Sequence, residues 1–495
     1  MSYRQRDFDD EETVGGNETS PLLQHDETTT SPQQESEQKL PIWKLLILVS
    51  INGGVQVFFS TIMADLSPYL QSLSLSKSAA AMITICLPLS GAFVGPIVGA
   101  YSDRFESRFG RRRPVILTGA IATTFFLCLL AWSPQIVNSN EKGSLALAIV
   151  STLLMSISIQ PVQTGVRSLT VDIAPAGEQN RAWSWAGRIQ GFAAIFSFFA
   201  SSLNLPSLPG LGRLTQFQAL AALNLITLGT TVGVTMVVIK EEDSRGTAEG
   251  KKGGVLGDLK GIWKTIRSGL PGKVRGTCIV QVASWMAWFP LLYYTTTFIG
   301  ELDVAGESAH TFEDAGDELA QAGSLGSLSF ATVGFIFVTA LPALLPLISR
   351  RFKRNQQQQE SSDDSHLRDL IYLWMFTQPI LGILEILTLA AAYQWQGIVL
   401  VGAAGIPWAV TQWVPFAIIG FEVSRLTREG EGNKAGAILG VHNMAISLPQ
   451  VFAGLVASGV YRAVEEVGSQ KTTAWVLAIS GIAAFVAAFL ARRML

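Results

Sequence analysis

Gly99 to Pro114 reads GAYSDRFESRFGRRRP and stands between two long apolar runs. Asp103, Arg104, Arg108, Arg111, Arg112 and Arg113 crowd into it. Charge of this density does not lie in hydrocarbon, so the stretch is a short loop joining two membrane helices. Short loops rich in Lys and Arg stay on the cytoplasmic side, which places this one inside. The orientation of the remaining chain follows from it.

Outward from that loop the chain keeps the same character. Of its 495 residues 48% are hydrophobic and only 15% charged, where a soluble protein carries roughly 25% charge. Mean hydropathy is +0.34. Much of the chain therefore faces lipid, and a count of soluble domains from length does not apply. A formal net charge of −2 and the lack of any matching motif give no case for a nucleic-acid partner. Cys86, Cys128 and Cys278 all fall in apolar runs and read as packing residues. No Cys/His spacing suggests a metal site.

Residues 1–39 are polar and acidic, with few aromatics, and read as a disordered cytoplasmic tail without a cleavable signal. A bilayer crossing takes about 20 apolar residues. Such segments occur at approximately 43–70, 78–101, 114–134, 145–172, 181–203, 217–239, 276–299, 326–349, 369–391, 396–421, 435–460 and 473–492. The first and fourth are long and carry polar groups, which suggests tilted or broken helices. The loops after the sixth, eighth and tenth spans hold Lys260 and Lys264, Arg350 and Arg351, and Arg425 and Arg428. All fall on the side of Arg111–Arg113, whereas Gly300–Gly323 on the opposite side is acidic. Both termini are therefore expected inside. The hydrophilic stretch 240–275 separates six spans from six. The expectation is an all-α membrane protein of twelve transmembrane helices in two six-helix halves, the major facilitator fold. Its parts are the tail 1–39, a first half 40–239, a central cytoplasmic loop 240–275 and a second half 276–495. Any even-span bundle with a long central loop would share this outline.

Charged side chains inside spans cost about 2.5–3.5 kcal/mol each at the bilayer centre and so point to function. Asp65 lies late in the first span, Arg167 and Asp172 late in the fourth, Arg188 in the fifth and Glu385 in the ninth. Arg167 and Asp172 are five apart and point to different faces of one helix. Asp172 and Arg188 come from antiparallel neighbours and can meet. A carboxylate beside an arginine in a bundle can take up a proton as its surroundings change. The plain alternatives are a helix-end position for Asp172, an interfacial one for Asp65 and structural pairing for Glu385. In the 99–114 loop, Asp103, Arg104, Arg111 and Arg112 can form a charged clamp that holds one state and releases in another. The plain alternative there is a topology anchor.

Uncharged polar residues recur in the same spans. Asn52 and Gln56 are in the first, Gln160 and Gln163 in the fourth, Gln281 in the seventh, Gln412 in the tenth and Asn443 in the eleventh. Amides both donate and accept, as a polyhydroxylated ligand requires. Trp285, Trp288, Tyr293 and Tyr294 stand near Gln281, and Trp408 and Trp413 flank Gln412. Aromatic faces stack on sugar rings. The same residues also serve as interfacial belts and as glue between helices.

These residues carry a resemblance. GAYSDRFESRFGRRRP is similar to the loop of the sucrose:proton symporters, in the glycoside–pentoside–hexuronide group of the major facilitator superfamily. Asn52–Gln56 with Leu66–Tyr69 resembles that family's first span, and Arg167–Asp172 its fourth. Ala287–Pro290 resembles its seventh, Gly405–Pro407 with Pro415–Ala417 its tenth, and His442–Gln450 its eleventh. Asp65 and Arg188 look like the fungal and animal members. The resemblance implies that Asp172 carries the proton and that Arg167 serves the same span.

The expected activity is proton-coupled import of a disaccharide, sucrose, maltose or a related α-glucoside, by alternating access. Asp172, Asp65, Arg188 and Arg167 would couple the proton. Asn52, Gln56, Gln163, Gln281, Trp288, Trp408, Gln412 and Asn443 would bind the sugar. No cofactor is expected beyond the coupling proton, and no partner beyond substrate and lipid bilayer. The plasma membrane is the expected home, with an internal membrane as alternative. The other readings are an uncoupled facilitator of another small solute and a sugar sensor built on a carrier fold. No arrangement of nucleophile, base and acid supports an enzyme.

Overall fold

The computed structural model describes residues 40–137, 140–174, 179–245, 257, 260, 267, 269–304, 316–353, 362–428 and 435–495. The tail expected over 1–39 and most of the central loop lie outside them. Helix is the only regular structure among the described residues. In a bilayer each backbone group must be paired within its own segment, and a helix does that.

The first span is Ile42–Ser72. The second breaks at Ile85 into Lys77–Thr84 and Cys86–Arg104. The third to sixth are Arg113–Ala131, Glu141–Ile173, Gln179–Ser202 and Gln216–Val238. The seventh to ninth are Gly272–Val304, Gly316–Lys353 and Ser362–Leu387. The last three are Gln394–Arg428, Ala435–Glu466 and Thr472–Arg492. Ten of these spans are long and apolar enough to cross a membrane; the fifth and seventh are long enough but more polar. The break lies outside the two spans expected to be tilted or broken. The first and fourth spans run unbroken through Pro68 and Pro161. The interruption falls instead in the second, where Ile85 packs onto Gly454 of the eleventh.

Helix pairing repeats between the two sets of six. The first span packs on the fourth, fifth and sixth, the second on the fourth, and the third on the fourth and sixth. The seventh packs in the same way on the tenth, eleventh and twelfth, the eighth on the tenth, and the ninth on the tenth and twelfth. The contacts between sets are also paired: second with eleventh, fifth with eighth. Small residues let the backbones approach. A Cβ at Gly405 in the tenth span would stand 2.7 Å from both Gly334 N and Phe330 O of the eighth.

The loop that opened the reading is a compact knot at one end of the bundle, hereafter the basic end. Glu241, just past the sixth span, accepts backbone N–H bonds from Arg112 (3.0 and 3.1 Å) and Arg113 (2.8 Å). A carboxylate here satisfies orphan donors at the start of the third helix and meets the positive end of its dipole. Ser244 adds bonds to the carbonyls of Phe105 and Ser107. Gly110 has φ +88°, and a Cβ there would come within 2.2 Å of Glu241 Cβ. Only glycine fits that position.

Candidate functional site

Three helical stripes turn towards the junction of the two halves. On the fourth span Gln160, Gln163 and Arg167 follow at helical spacing; on the seventh, Gln281, Trp285 and Trp288; on the tenth, Trp408, Gln412 and Phe416. The last two stripes touch. Trp408 meets Trp288 and Trp285 edge to face, with centroids 4.9 and 5.8 Å apart. His442 of the eleventh span closes the group. Its ring stands edge-on to Phe416 at 4.9 Å and its Nε2 lies 3.4 Å from Gln281 Nε2. Arg167 comes from the fourth span, in the first half. It is exposed, yet six residues inside the end of its helix, about 9 Å deep. Gln412 and Phe416 are exposed, while Gln281 and His442 are buried. We read these exposed groups as the lining of a candidate cleft between the halves.

Two buried side-chain atoms of this group have no hydrogen-bond partner within the protein. Gln281 is 1% exposed, and its Oε1 has no hydrogen bond. A buried carbonyl left so costs about 1–3 kcal/mol. Trp285 Nε1 is in the same condition. The arrangement offers a donor fork at Arg167, a buried acceptor at Gln281, and the aromatic rings of Phe416 and Trp408. It can hold a neutral ligand rich in hydroxyls.

Other expected residues lie elsewhere. Trp288 is fully buried and donates its indole N–H to Thr411 Oγ1 at 3.3 Å, so it has no face free for a ligand. Gln378 ties Thr411 (3.2 Å) to Ser284 (3.0 Å), the amide glue of the second half. Asn52 is buried and returns its amide to Val49 O at 2.9 Å. Gln56 is half-buried and bonds Ser60 at 3.1 Å. Gln163 and Asn443 are half-buried. Asp65 is 5% exposed and accepts a 2.8 Å bond from Ser201 of the fifth span. Arg188 is exposed and lies over the ring of Trp185 on its own helix. Glu385 is 1% exposed, with neither carboxylate oxygen partnered, against Gly481 of the twelfth span.

Asp172 does not meet Arg188. It accepts from Arg112 Nε at 2.9 Å and Arg111 at 3.1 Å, inside the basic-end knot. Arg112, its side chain 5% exposed, also donates to Ser102 at 3.0 Å. The five-residue offset from Arg167 explains this, since it turns Asp172 to another face. Of the residues expected in the clamp, Arg111 and Arg112 pair with Asp172, which was expected to couple the proton and not to join the clamp. The side chain of Asp103 lies outside the described residues, and Arg104 is half-buried beside it.

At the end opposite the knot the halves are joined. Lys77 donates to Glu301 at 2.8 Å, Ser78 meets Ser458 at 2.8 Å, and Thr84 meets the Tyr294 hydroxyl at 3.2 Å. Glu301 is 4% exposed and is further held by Thr472 Oγ1 (2.6 Å), Thr473 Oγ1 (2.6 Å) and Thr473 N (2.9 Å). Towards this end Met63 and Phe198 of the first half line one small void with Leu291, Leu292 and Phe330 of the second.

A family described as MFS/sugar transport protein matches residues 49–313, more than half of the chain. The chain belongs to that family. It is 29% identical to the general alpha-glucoside permease of Schizosaccharomyces pombe, over 97% of this chain and 98% of that one. It is 25% identical to a sucrose transport protein of Arabidopsis thaliana, over 84% and 83%. Among solved structures it resembles a D-xylose-proton symporter, with TM-score 0.61 at 13% identity over 92% of this chain and 98% of that one. A nucleoside transporter follows at TM-score 0.59 and 16% identity, over 91% and 99%. These likenesses show the major facilitator fold. The chain is thus a multi-pass membrane carrier and not an enzyme.

His442, Phe416, Lys77, Glu301 and Glu241 were not among the expected site residues. His442 carried a signal, as a titratable ring in an apolar span. Phe416 did too, four residues from Gln412 on the same face.

Proposed function

We propose that this protein imports α-glucosides such as maltose or sucrose by alternating access, together with a proton. The observation that carries the reading is the joining of the halves by Lys77–Glu301 at one end, with exposed polar and aromatic groups of the fourth and tenth spans towards the other. The relatives that are an alpha-glucoside permease and a sucrose transporter supply the substrate class. The positive-inside bias puts the basic end in the cytoplasm. The described conformation is then inward-facing.

Proton coupling is assigned to Asp172, with Asp65 as a second carboxylate. In the inward-facing state Asp172 is bound by two arginines, as an ionised carboxylate would be after proton release. Protonation would remove the charge that holds Arg111 and Arg112. The knot would then loosen, and it ties the second, third, fourth and sixth spans together.

Uptake of labelled maltose and sucrose by vesicles of the purified carrier tests the reading. An inward proton gradient should drive accumulation, and a protonophore should abolish it. Equal uptake with and without the gradient would leave a facilitator. Asp172→Asn should retain sugar exchange across the membrane but lose gradient-driven accumulation. If the variant still concentrates sugar, Asp172 is not the coupling group.

A further inference from the structure

At the end opposite the knot, the bonds that Glu301 receives all come from donors. Its Oε1 accepts from Lys77 Nζ (2.8 Å), Thr472 Oγ1 (2.6 Å) and Thr473 Oγ1 (2.6 Å), and its Oε2 accepts from Thr473 N (2.9 Å). We propose that Glu301 is a switch for external acid: a proton taken up there from the outer solution frees Lys77 and opens that end of the carrier. This rests on the alternating-access reading above, with the basic end inside, and adds a control which that reading does not contain.

The argument is one of hydrogens. A threonine hydroxyl has a single hydrogen to give. Thr473 gives its own to Glu301, so at its 3.0 Å contact with Tyr461 it accepts from the phenol. Thr472 gives its own to Glu301 and accepts from Lys77 at 3.3 Å. Two hydroxyl relays, an ammonium and a backbone N–H thus point at one ionised carboxylate. A protonated carboxyl has a hydrogen of its own to place, and here it would face donors. It also loses the charge that attracts Lys77. One donor must then turn away. Thr472 and Thr473 belong to the same half as Glu301 and are 3% and 0% exposed. Lys77 comes from the other half, and its side chain is 21% exposed, with water to receive it. The other bonds named between the halves at this end, Ser78 with Ser458 and Thr84 with Tyr294, are made by neutral hydroxyls.

The remaining ionisable groups on the neighbouring helices are engaged elsewhere or face solvent. Tyr393, Arg462, Glu465 and Glu466 are exposed. Lys471 donates to Ala391 O at 2.6 Å, Asp65 is bonded to Ser201, and Glu385 lies against Gly481. The side chains of Asp303, Asp317 and Glu318 lie outside the described residues.

A proton on Glu301 is not cargo. The residue lies three positions from the end of the seventh helix, on the side opposite the knot. A proton bound there leaves by the same side when Lys77 returns. Asp172 carries the proton across, and Glu301 sets how often the outer end opens. A proton shifts the population towards the state that binds it better, so acid outside raises the open fraction and alkali lowers it.

The test uses the full carrier in intact cells, with Cys86, Cys128 and Cys278 replaced by serine and Ser327→Cys as reporter. Ser327 lines the small void between the halves and is 7% exposed. A membrane-impermeant maleimide reaches it from outside when that end opens. Rates are taken relative to Glu466→Cys, at an exposed site, which corrects for the pH dependence of the thiol reaction. With Glu301 and Lys77 intact, relative labelling should rise at least about fivefold from about pH 7.5 to about pH 5.5, the lower end of ordinary coupling between two sites. Glu301→Gln keeps an acceptor for Thr472 and Thr473 without the charge. It should label fast and alike at both pH values. Lys77→Met should do the same with Glu301 intact, and Lys77→Arg should keep the pH response. Protons taken up per maltose should be unchanged in Glu301→Gln, which separates a switch from a passenger. Gel filtration reports on folding, and if Glu301→Gln does not fold, Lys77→Met decides. The proposal is overturned if relative labelling ignores external pH, if either neutral variant keeps the original response, or if Glu301→Gln moves fewer protons per sugar. A carrier that shows the pH-dependent labelling but takes up no α-glucoside would sink the substrate reading and leave the switch standing.

Discussion

At the scale of single residues, two tryptophans of one aromatic group are expected to behave differently. Trp288 is fully buried and bonded to Thr411, whereas Trp408 is half-buried and lines the cleft. Trp288→Ala should cost about 3–5 kcal/mol, the usual loss for a large core aromatic. It should appear as a lower unfolding temperature and lower abundance. Trp408→Phe removes little volume and keeps an aromatic surface. It should leave stability nearly unchanged and raise KM for sugar several-fold, checked by uptake kinetics beside a melting curve. A reversed pattern would move the ligand to Trp288. The sequence showed that aromatic and amide residues gather in the first, seventh and tenth spans. It did not show which of them face inward, because each type serves equally as core, glue and ligand. Helical register separates them: Gln281, Trp285 and Trp288 share one stripe, and depth along that stripe decides whether a ring is covered.

Among elements, the backbone contacts between helices make a sharper case than composition did. Gly405 and Gly229 both lie in membrane helices, and a sequence does not rank them. At Gly405 a Cβ would meet backbone atoms of the eighth span at 2.7 Å, while at Gly229 nothing lies within 4 Å. Gly405→Ala should force the eighth and tenth helices apart and cost about 1–3 kcal/mol, as overpacking does. Gly229→Ala should be neutral or slightly stabilising, because alanine favours the helix. Thermal denaturation in detergent would measure both. The basic-end knot follows the same logic. Its arginines were legible as a loop between two membrane helices from charge alone. Glu241 was not, because it lies more than a hundred residues away in sequence and looked like one more acid in a long polar stretch. Only the fold brings it to the start of the third helix. Gly110→Ala should loosen that knot, raising protease cleavage at the loop, since both φ and the Glu241 contact oppose a side chain there.

For the whole molecule, the membrane-spanning, all-helical architecture could be read from hydropathy and charge. The conformation could not be read, since one sequence encodes every state of a carrier. It is written in contacts between halves that no local pattern announces, such as Lys77 with Glu301, 224 positions apart. Those contacts allow a direct check on alternating access. Glu301 takes most of its hydrogen bonds from Thr472 and Thr473 of its own half, so it stays satisfied when Lys77 withdraws. Such a latch can open at low cost. The Ser78 and Ser458 hydroxyls are 2.8 Å apart, so cysteines at both positions would place two sulfurs within reach of a bond of about 2.0 Å. Oxidation of the double variant should fix the halves together at that end and stop uptake. Reduction should restore it, and either single variant should be unaffected. Lys77→Ala should act in the opposite sense, releasing that end and raising the rate at which an external reagent labels a cysteine placed in the cleft. Full uptake by the cross-linked carrier would mean that the sealed end never opens during transport. The cleft would then not be a pathway between the two sides of the membrane.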